Sequence, residues 1–179
     1  MNKFMQSSLI ALSLVCGFAV VMPADAAGRV QARGAVENPD GGVTAGSASA
    51  AKGPNGGRGA RAAGVTSDGQ GNVRGGSAGA AQTASGGSAA RAGKFQRNAD
   101  GSATRTGGVA AQSAAGGRLQ STGSLSSDGQ GNAAGVRNTS AATAAGATYD
   151  GQTTYNNNDG VNHTEVCHNA AGAEVPCQR

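Results

Sequence analysis

The sequence has little from which a hydrophobic core could be built. It contains no tryptophan, aromatic residues make up 3% of it, and charged residues make up 13%. From residue 27 onward it holds ten valines, two leucines, one phenylalanine and no isoleucine, a level at which disorder competes with folding. Disordered chains usually also carry a high net charge, whereas the formal net charge here is +4. The composition excludes an ordinary globular core and predicts either disorder or order by repetition.

Residues that carry chemistry are as scarce as the large apolar ones. The two histidines, His163 and His168, both lie near the C-terminus, and the serines are spread through low-complexity sequence with no base nearby. With Cys167 and Cys177 the histidines match no zinc-site spacing, and Gly75–Gly79 lacks the Gly-Lys-Ser/Thr ending of a phosphate loop. The nine-residue period of calcium-binding glycine repeats is also missing. We therefore predict that the protein is not an enzyme and has no catalytic, cofactor-binding or metal-binding residues.

Repetition is what the sequence has in abundance. Larger side chains recur almost every thirty residues, at Val36, Val65, Phe95, Leu125 and Tyr155. The block Ser67–Asn72 returns unchanged as Ser127–Asn132, sixty residues later. Self-similarity with a period of this size indicates a tandem array of supersecondary units. We predict a linker over residues 27–35, then four units of thirty residues over 36–155, which pair into two duplicated blocks of sixty.

Turn-forming dipeptides between the alternating stretches favour β-structure. Asparagine or aspartate followed by glycine suits the positive φ angles of tight hairpin turns. Such pairs occur at Asp40-Gly41, Asn55-Gly56, Asp68-Gly69, Asp100-Gly101, Asp128-Gly129, Asp150-Gly151 and Asp159-Gly160. Between them lie short alternations of Val, Thr, Ser and Ala that suit weak strands. The predicted fold is an all-β repeat, a β-meander of short hairpins. The alternative is a β-solenoid whose coils of thirty residues stack the larger side chains as an internal column, and either fold could be partly disordered.

The first residues have the anatomy of an export signal. Lys3 supplies a positive start, Ser8–Met22 is an apolar run, and Ala24-Asp25-Ala26 offers small residues where a signal peptidase reads. We predict a signal peptide over residues 1–26, a mature chain that begins at Ala27, and no integral membrane segment after cleavage. The protein is therefore expected to be secreted or periplasmic.

The C-terminal segment, residues 156–179, is predicted to be a cap hairpin. Two short strand-like stretches, Val166–His168 and Glu174–Cys177, flank a turn that would place Cys167 opposite Cys177. An exported protein with two mature cysteines most simply oxidises them. We predict a structural disulfide between Cys167 and Cys177.

Several of these features together resemble a known class of protein. The signal anatomy, the turns, the stretch Tyr149–Tyr155 and the ending Cys167–Cys177 are similar to those of uncharacterised Gly/Ala/Thr-rich secreted repeat proteins of Gram-negative bacteria. That resemblance implies secretion and a repeat architecture, but no activity. Gln70–Asn72 and Gln130–Asn132 are also similar to parts of curlin-type amyloid repeats, although here the Gln, Gly and Asn are contiguous and the unit is longer.

Regularly spaced arginines give the array its basic character. The candidates for contact with an anion are Arg58, Arg61, Arg91 and Arg118. Without interleaved aromatic residues for base stacking, we do not expect nucleic acid to be a partner. We predict a structural or adhesive role at the cell surface or in the extracellular matrix, through contact with copies of itself or with envelope or matrix polymers. The alternatives are a soluble binding module for an anionic polymer such as a polysaccharide, and a functional amyloid subunit.

Overall fold

One antiparallel β-sheet accounts for the whole of the described chain. The computed structural model describes residues 27–178, so the predicted signal peptide lies outside the described residues. The strands are Gly28–Glu37 (β1), Val43–Lys52 (β2), Arg58–Ser67 (β3), Val73–Gln82 (β4), Ser88–Arg97 (β5), Ala103–Gln112 (β6), Arg118–Ser127 (β7), Ala133–Ala142 (β8), Thr148–Asn156 (β9), Gly160–His168 (β10) and Glu174–Val175 (β11). They lie in the sheet in chain order, each hydrogen-bonded to its sequence neighbours. The predicted all-β meander is therefore confirmed.

The strands recur with half the period that the sequence shows. Strands β1 to β9 begin every fifteen residues, at positions 28, 43, 58, 73, 88, 103, 118, 133 and 148. A thirty-residue unit of the sequence is therefore one hairpin of two ten-residue strands. Because antiparallel neighbours can be joined by short turns, five residues are enough to connect most of them.

Two local predictions are wrong. Residues 27–35, expected to be a linker, hold most of β1, which pairs with β2 along all ten of its residues. The array begins at Gly28, eight residues before Val36, because Val36 lies within β1 itself. Asp150-Gly151, expected to be a turn, lies inside β9 and pairs on both sides. The turn before β9 is instead made at residues 143–147, where Gly146 has a φ of 94°.

Seven of the nine five-residue turns within residues 27–178 share the same pair of backbone hydrogen bonds, and the turns at residues 68–72 and 128–132 have only the first of the pair. At Thr83–Gly87, the N–H of Thr83 donates to the carbonyl of Gly87 at 2.8 Å, and the N–H of Gly86 donates to the carbonyl of Thr83 at 3.1 Å. The fourth residue of every five-residue turn, from Gly41 to Gly172, is a glycine with positive φ. Residues with a Cβ are disfavoured there. The glycine steps of the sequence therefore mark hairpin turns.

The sheet is a single layer without a core. Strands contact only their neighbours in the sheet, and no hydrophobic residue is buried within the described range. Among the described residues, Gly42, Gly87 and Ser121 are buried. The hydroxyl of Ser121, which is 5% exposed, shares a hydrogen bond of 2.9 Å with that of Thr139 on β8. Domains normally bury each sheet face against a second layer, so both faces of this sheet are open surfaces.

Candidate functional site

The two faces of the sheet are the candidate functional surfaces, and the register assigns every strand residue to one of them. Successive side chains of a strand point to opposite faces, and directly paired residues share a face. Because the paired positions differ by an even number, such as Gly28 with Lys52 and Arg58 with Gln82, one face carries the even-numbered strand residues. The other face carries the odd-numbered ones. We call them the alanine face and the arginine face.

The centre of the alanine face is uncharged and carries small side chains over the first six strands. Two adjacent rows cross β1 to β6 in register; they are Val30, Ala50, Ala60, Ala80, Ala90 and Ala110, and Ala32, Ala48, Ala62, Ala78, Ala92 and Gly108. The next row begins with Gly34, Gly46, Gly64 and Gly76. The charged residues of this face in β1 to β6 lie outside the two central rows; they are Lys52, Arg58, Arg74 and Lys94. These central rows form a continuous plain of small side chains.

The alanine face becomes polar beyond β6. The same two rows continue as Gln120, Ser140, Asp150 and Val166, and as Thr122, Asn138, Gln152 and Thr164. The amide of Gln152 donates to Oδ1 of Asn138 at 2.8 Å. The two halves of this face therefore differ in chemistry, although the turns and strands that build them are alike.

The structure divides the four arginines predicted to contact an anion into two pairs. Arg61 and Arg91 share a row of the arginine face, with Gly79 between them. Arg58 and Arg118 lie on the alanine face. The Nε and Nη2 of Arg58 donate to Oε1 of Gln82 at 3.1 and 2.8 Å. No single surface uses all four.

The arginine face carries more basic residues than the sequence prediction assigned to it. Arg29, Arg33, Arg97, Arg105 and Arg137 join Arg61 and Arg91 there. Its strand residues include two acids, Glu37 and Glu165. All seven arginines have odd residue numbers. Directly paired residues of this meander always differ by an even number, so odd positions share one face, and odd numbering is the sequence signal that could have identified this set.

The larger side chains form a broken row, not an internal column. Val65, Phe95, Leu125 and Tyr155 share a row of the arginine face, where they are 39–48% exposed. Val36 does not belong to this row: it lies 29 residues before Val65, and an odd displacement places it on the alanine face. The members of the row are separated by Gly75, Arg105 and Gly135.

Acidic residues collect in the turns at one end of the sheet. These turns hold Asp40, Asp68, Asp100, Asp128 and Asp159, whereas the turns at the opposite end, residues 53–57, 83–87, 113–117, 143–147 and 169–173, have no charged residue. Three of the carboxylates accept hydrogen bonds from their own turns. A hydrogen bond from the side-chain amide of Asn72 lowers the pKa of Asp68, and a hydrogen bond from the backbone N–H of Gln70 lowers it further.

The other two perturbed aspartates follow the same logic. The side-chain amide of Asn132 and then the N–H of Gln130 lower the pKa of Asp128, and the hydroxyl of Ser102 lowers the pKa of Asp100. These carboxylates stabilise the turns in which they lie. In residues 27–178 no three His, Cys, Asp or Glu side chains come close enough together to hold a metal ion.

The C-terminal end of the sheet continues the meander and is closed by a disulfide. Cys167 pairs with Val175, and His168 with Glu174, across the turn of residues 169–173. The predicted disulfide is confirmed, with Cα atoms of Cys167 and Cys177 5.4 Å apart. His163 and His168 lie on opposite faces, and His163 bonds to Thr153 at 2.8 Å and to Glu165 at 3.2 Å. The two histidines therefore form no joint site.

Comparisons with known proteins identify no relative, so a function has to be argued from the sheet itself. The chain matches no protein-family model, and no curated protein or solved structure is significantly similar to it. The described residues include no helix with the length and apolar character needed to cross a membrane.

Proposed function

We propose that this is an exported structural or adhesive protein that assembles with copies of itself or lies against polymers of the cell envelope or matrix. The observation that carries the proposal is the eleven-stranded sheet in which no hydrophobic residue of the described range is buried. Ordering the backbone costs about 1–2 kcal/mol per residue. Burial of apolar surface normally offsets that cost, and here a partner has to provide it.

The composition of the strands suits such an assembly. Alanine, glycine, serine and threonine fill most strand positions on both faces, so a second surface can approach the backbone closely. Their side chains also lose little conformational entropy when they become buried. A surface of this kind is suited to contact over a wide area.

Export is supported by the chemistry at two ends of the sequence. The signal anatomy of residues 1–26 lies outside the described residues and stays a prediction. The Cys167–Cys177 disulfide is of the kind that forms and persists in oxidising compartments such as the periplasm or the extracellular space. The resemblance to Gly/Ala/Thr-rich secreted repeat proteins of Gram-negative bacteria agrees with this proposal.

The arginine face supports a second candidate function, capture of an anionic polymer. Seven arginines and two glutamates share that face across β1 to β10. Guanidinium groups bind sulfate, phosphate and carboxylate groups in bidentate fashion. A polyanion lying across the strands would meet Arg61 and Arg91 on one row, and Arg33 and Arg137 on the next.

Salt separates the two functions. We expect sedimentation velocity of the oxidised chain, residues 27–179, to show reversible assembly that persists at about 0.5 M salt, where the Debye length is only a few ångströms. The double variant Arg61→Ser and Arg91→Ser, on the arginine face, should leave that assembly unchanged. The matched double variant on the alanine face is Arg58→Ser with Arg118→Ser. A strictly monomeric chain that binds dextran sulfate at low salt only, and loses this binding with Arg61→Ser and Arg91→Ser, would establish the polymer-binding module instead.

A further inference from the structure

We propose that two copies of the chain associate face to face through the alanine face of β1 to β6. This inference rests on the proposed self-association and specifies its surface and its partner. The occupant is a second copy of the same six strands, stacked as the second layer of a β-sandwich.

The size of the surface matches what a stable dimer requires. With strands about 4.8 Å apart and a rise of about 3.4 Å per residue, six strands of ten residues cover roughly 980 Å². A typical stable interface buries about 800 Å² on each partner. The alanine face of β1 to β6 is therefore large enough without any contribution from the polar half of the sheet.

The texture of the surface favours a copy of itself. Across the two central rows the side chains are ten alanines, one valine and one glycine. A dimer with two-fold symmetry uses the same patch on both subunits, so that patch has to be complementary to itself. Rows of equal, small side chains satisfy this condition, because the rows of one copy can lie between the rows of the other.

The arginine face cannot form the same contact. The rows nearest the centre of that face carry Arg61, Arg91 and Arg33, and the ring of Phe95 stands over the neighbouring strand. Stacking two such faces would bury like charges without partners, which costs several kcal/mol for each ion. The alanine face is the one that can be covered without removing a charge from water.

The charged residues around the alanine rows give the contact a characteristic salt dependence. Lys52, Arg58, Arg74 and Lys94 surround the small-residue plain, so the basic rims of two stacked copies approach one another. Screening weakens repulsion between like charges. Added salt should therefore strengthen association through this face, whereas binding through the arginine face to an anionic polymer should weaken.

Adjacent alanines of β3 provide a matched test. Ala62 lies in the central rows of the alanine face, and Ala63 lies on the arginine face. We expect Ala62→Glu to weaken dimerisation in sedimentation equilibrium about tenfold or more, because the new carboxylate would be buried without a partner. Ala63→Glu should change the dissociation constant by less than about twofold, since surface changes are usually small. Far-UV circular dichroism of each variant checks that the β-sheet is retained.

A second measurement keeps the test decisive if Ala62→Glu fails to fold. In the chain of residues 27–179 the two cysteines, Cys167 and Cys177, are joined, so Ala62→Cys and Ala63→Cys each add one free thiol whose alkylation rate can be followed. At concentrations where the chain assembles, Cys at position 62 should react at least about tenfold more slowly than in dilute protein, and Cys at position 63 should react equally fast in both. Assembly with an accessible thiol at 62, or assembly lost with Ala63→Glu and kept with Ala62→Glu, overturns the alanine-face contact alone. A wild-type chain that stays monomeric at every concentration overturns the proposed self-association itself.

Discussion

The ring of Phe95 lies over Gly75, its direct partner on the neighbouring strand. A Cβ placed on Gly75 would be 2.6 Å from Cε1 of Phe95 and 2.8 Å from the carbonyl oxygen of Gly64. Leu125, thirty residues after Phe95, has the same relation to its partner Gly135, where an added Cβ would lie 3.0 Å from Cδ1 of Leu125. Large side chains covering cross-strand glycines compensate for the weak packing of glycine in a sheet. In a sheet without a core, these pairs provide local apolar packing.

Gly75→Ala should destabilise the fold, because the new methyl group would displace both the ring of Phe95 and the adjacent backbone. We expect a loss of about 1–3 kcal/mol in the free energy of unfolding, as for other overpacked sites. Gly34→Ala is the control, since a Cβ there meets nothing within 4 Å and alanine should be neutral or stabilising. Urea titration followed by circular dichroism measures both. Equal stability of the two variants would show that the ring does not occupy this space.

Gly116→Ala tests the turn geometry separately from crowding. Gly116 has a φ of 96°, and a Cβ at this position meets nothing within 4 Å. The substitution should therefore cost about 1–2 kcal/mol through the left-handed backbone alone. Gly116→Asn should recover part of that loss, since asparagine tolerates this region better. If the alanine and asparagine variants unfold at the same denaturant concentration as wild type, the turn does not require positive φ.

Acid should weaken the fold through the turn aspartates. The pKa of Asp68 is lowered by Asn72 and Gln70, and that of Asp128 by Asn132 and Gln130. A folded pKa below the unfolded value contributes stability that is complete above about pH 5 and lost as pH falls through about 4 towards the lowered values. Thermal melts at pH 7, 5 and 3 should show this fall. The double variant Asp68→Asn and Asp128→Asn should melt lower at pH 7 and depend less on pH, and a slope equal to that of wild type would contradict the assignment.

Sequence patterns were sufficient to predict the meander and its disulfide, but they obscured the fifteen-residue strand period. Turns alternate along the chain between Asp-Gly-rich segments such as 98–102 and neutral ones such as 113–117. The repeat that is visible in the sequence is therefore the thirty-residue hairpin and not the single fifteen-residue strand unit. The start of the array was placed at Val36 instead of Gly28 for the same reason, because the larger side chains, and not the strands, mark the thirty-residue spacing.

The surfaces were harder to predict than the fold. The repeat spacing placed Arg58, Arg61, Arg91 and Arg118 in one set, because Arg61 and Arg91 are thirty residues apart and Arg58 and Arg118 are sixty apart. The even and odd positions nevertheless lie on opposite faces. A one-residue shift exchanges the faces of a strand, so spacing assigns a face only after the register is known. The alanine plain could not be recognised from composition either, because alanine is abundant on both faces and only the pairing shows where its rows are unbroken.

The central claim is that the single-layer sheet depends on association for its stability, and the most direct test is the thermal midpoint as a function of protein concentration. Binding that favours the folded state makes the midpoint concentration-dependent. For the oxidised chain of residues 27–179, we expect the midpoint to rise by several degrees over about a hundredfold increase in concentration. The rise should be steeper in high salt and reduced in Ala62→Glu. A midpoint that is constant across that range, for a chain that sediments as a monomer with full β-sheet circular dichroism, would contradict the account.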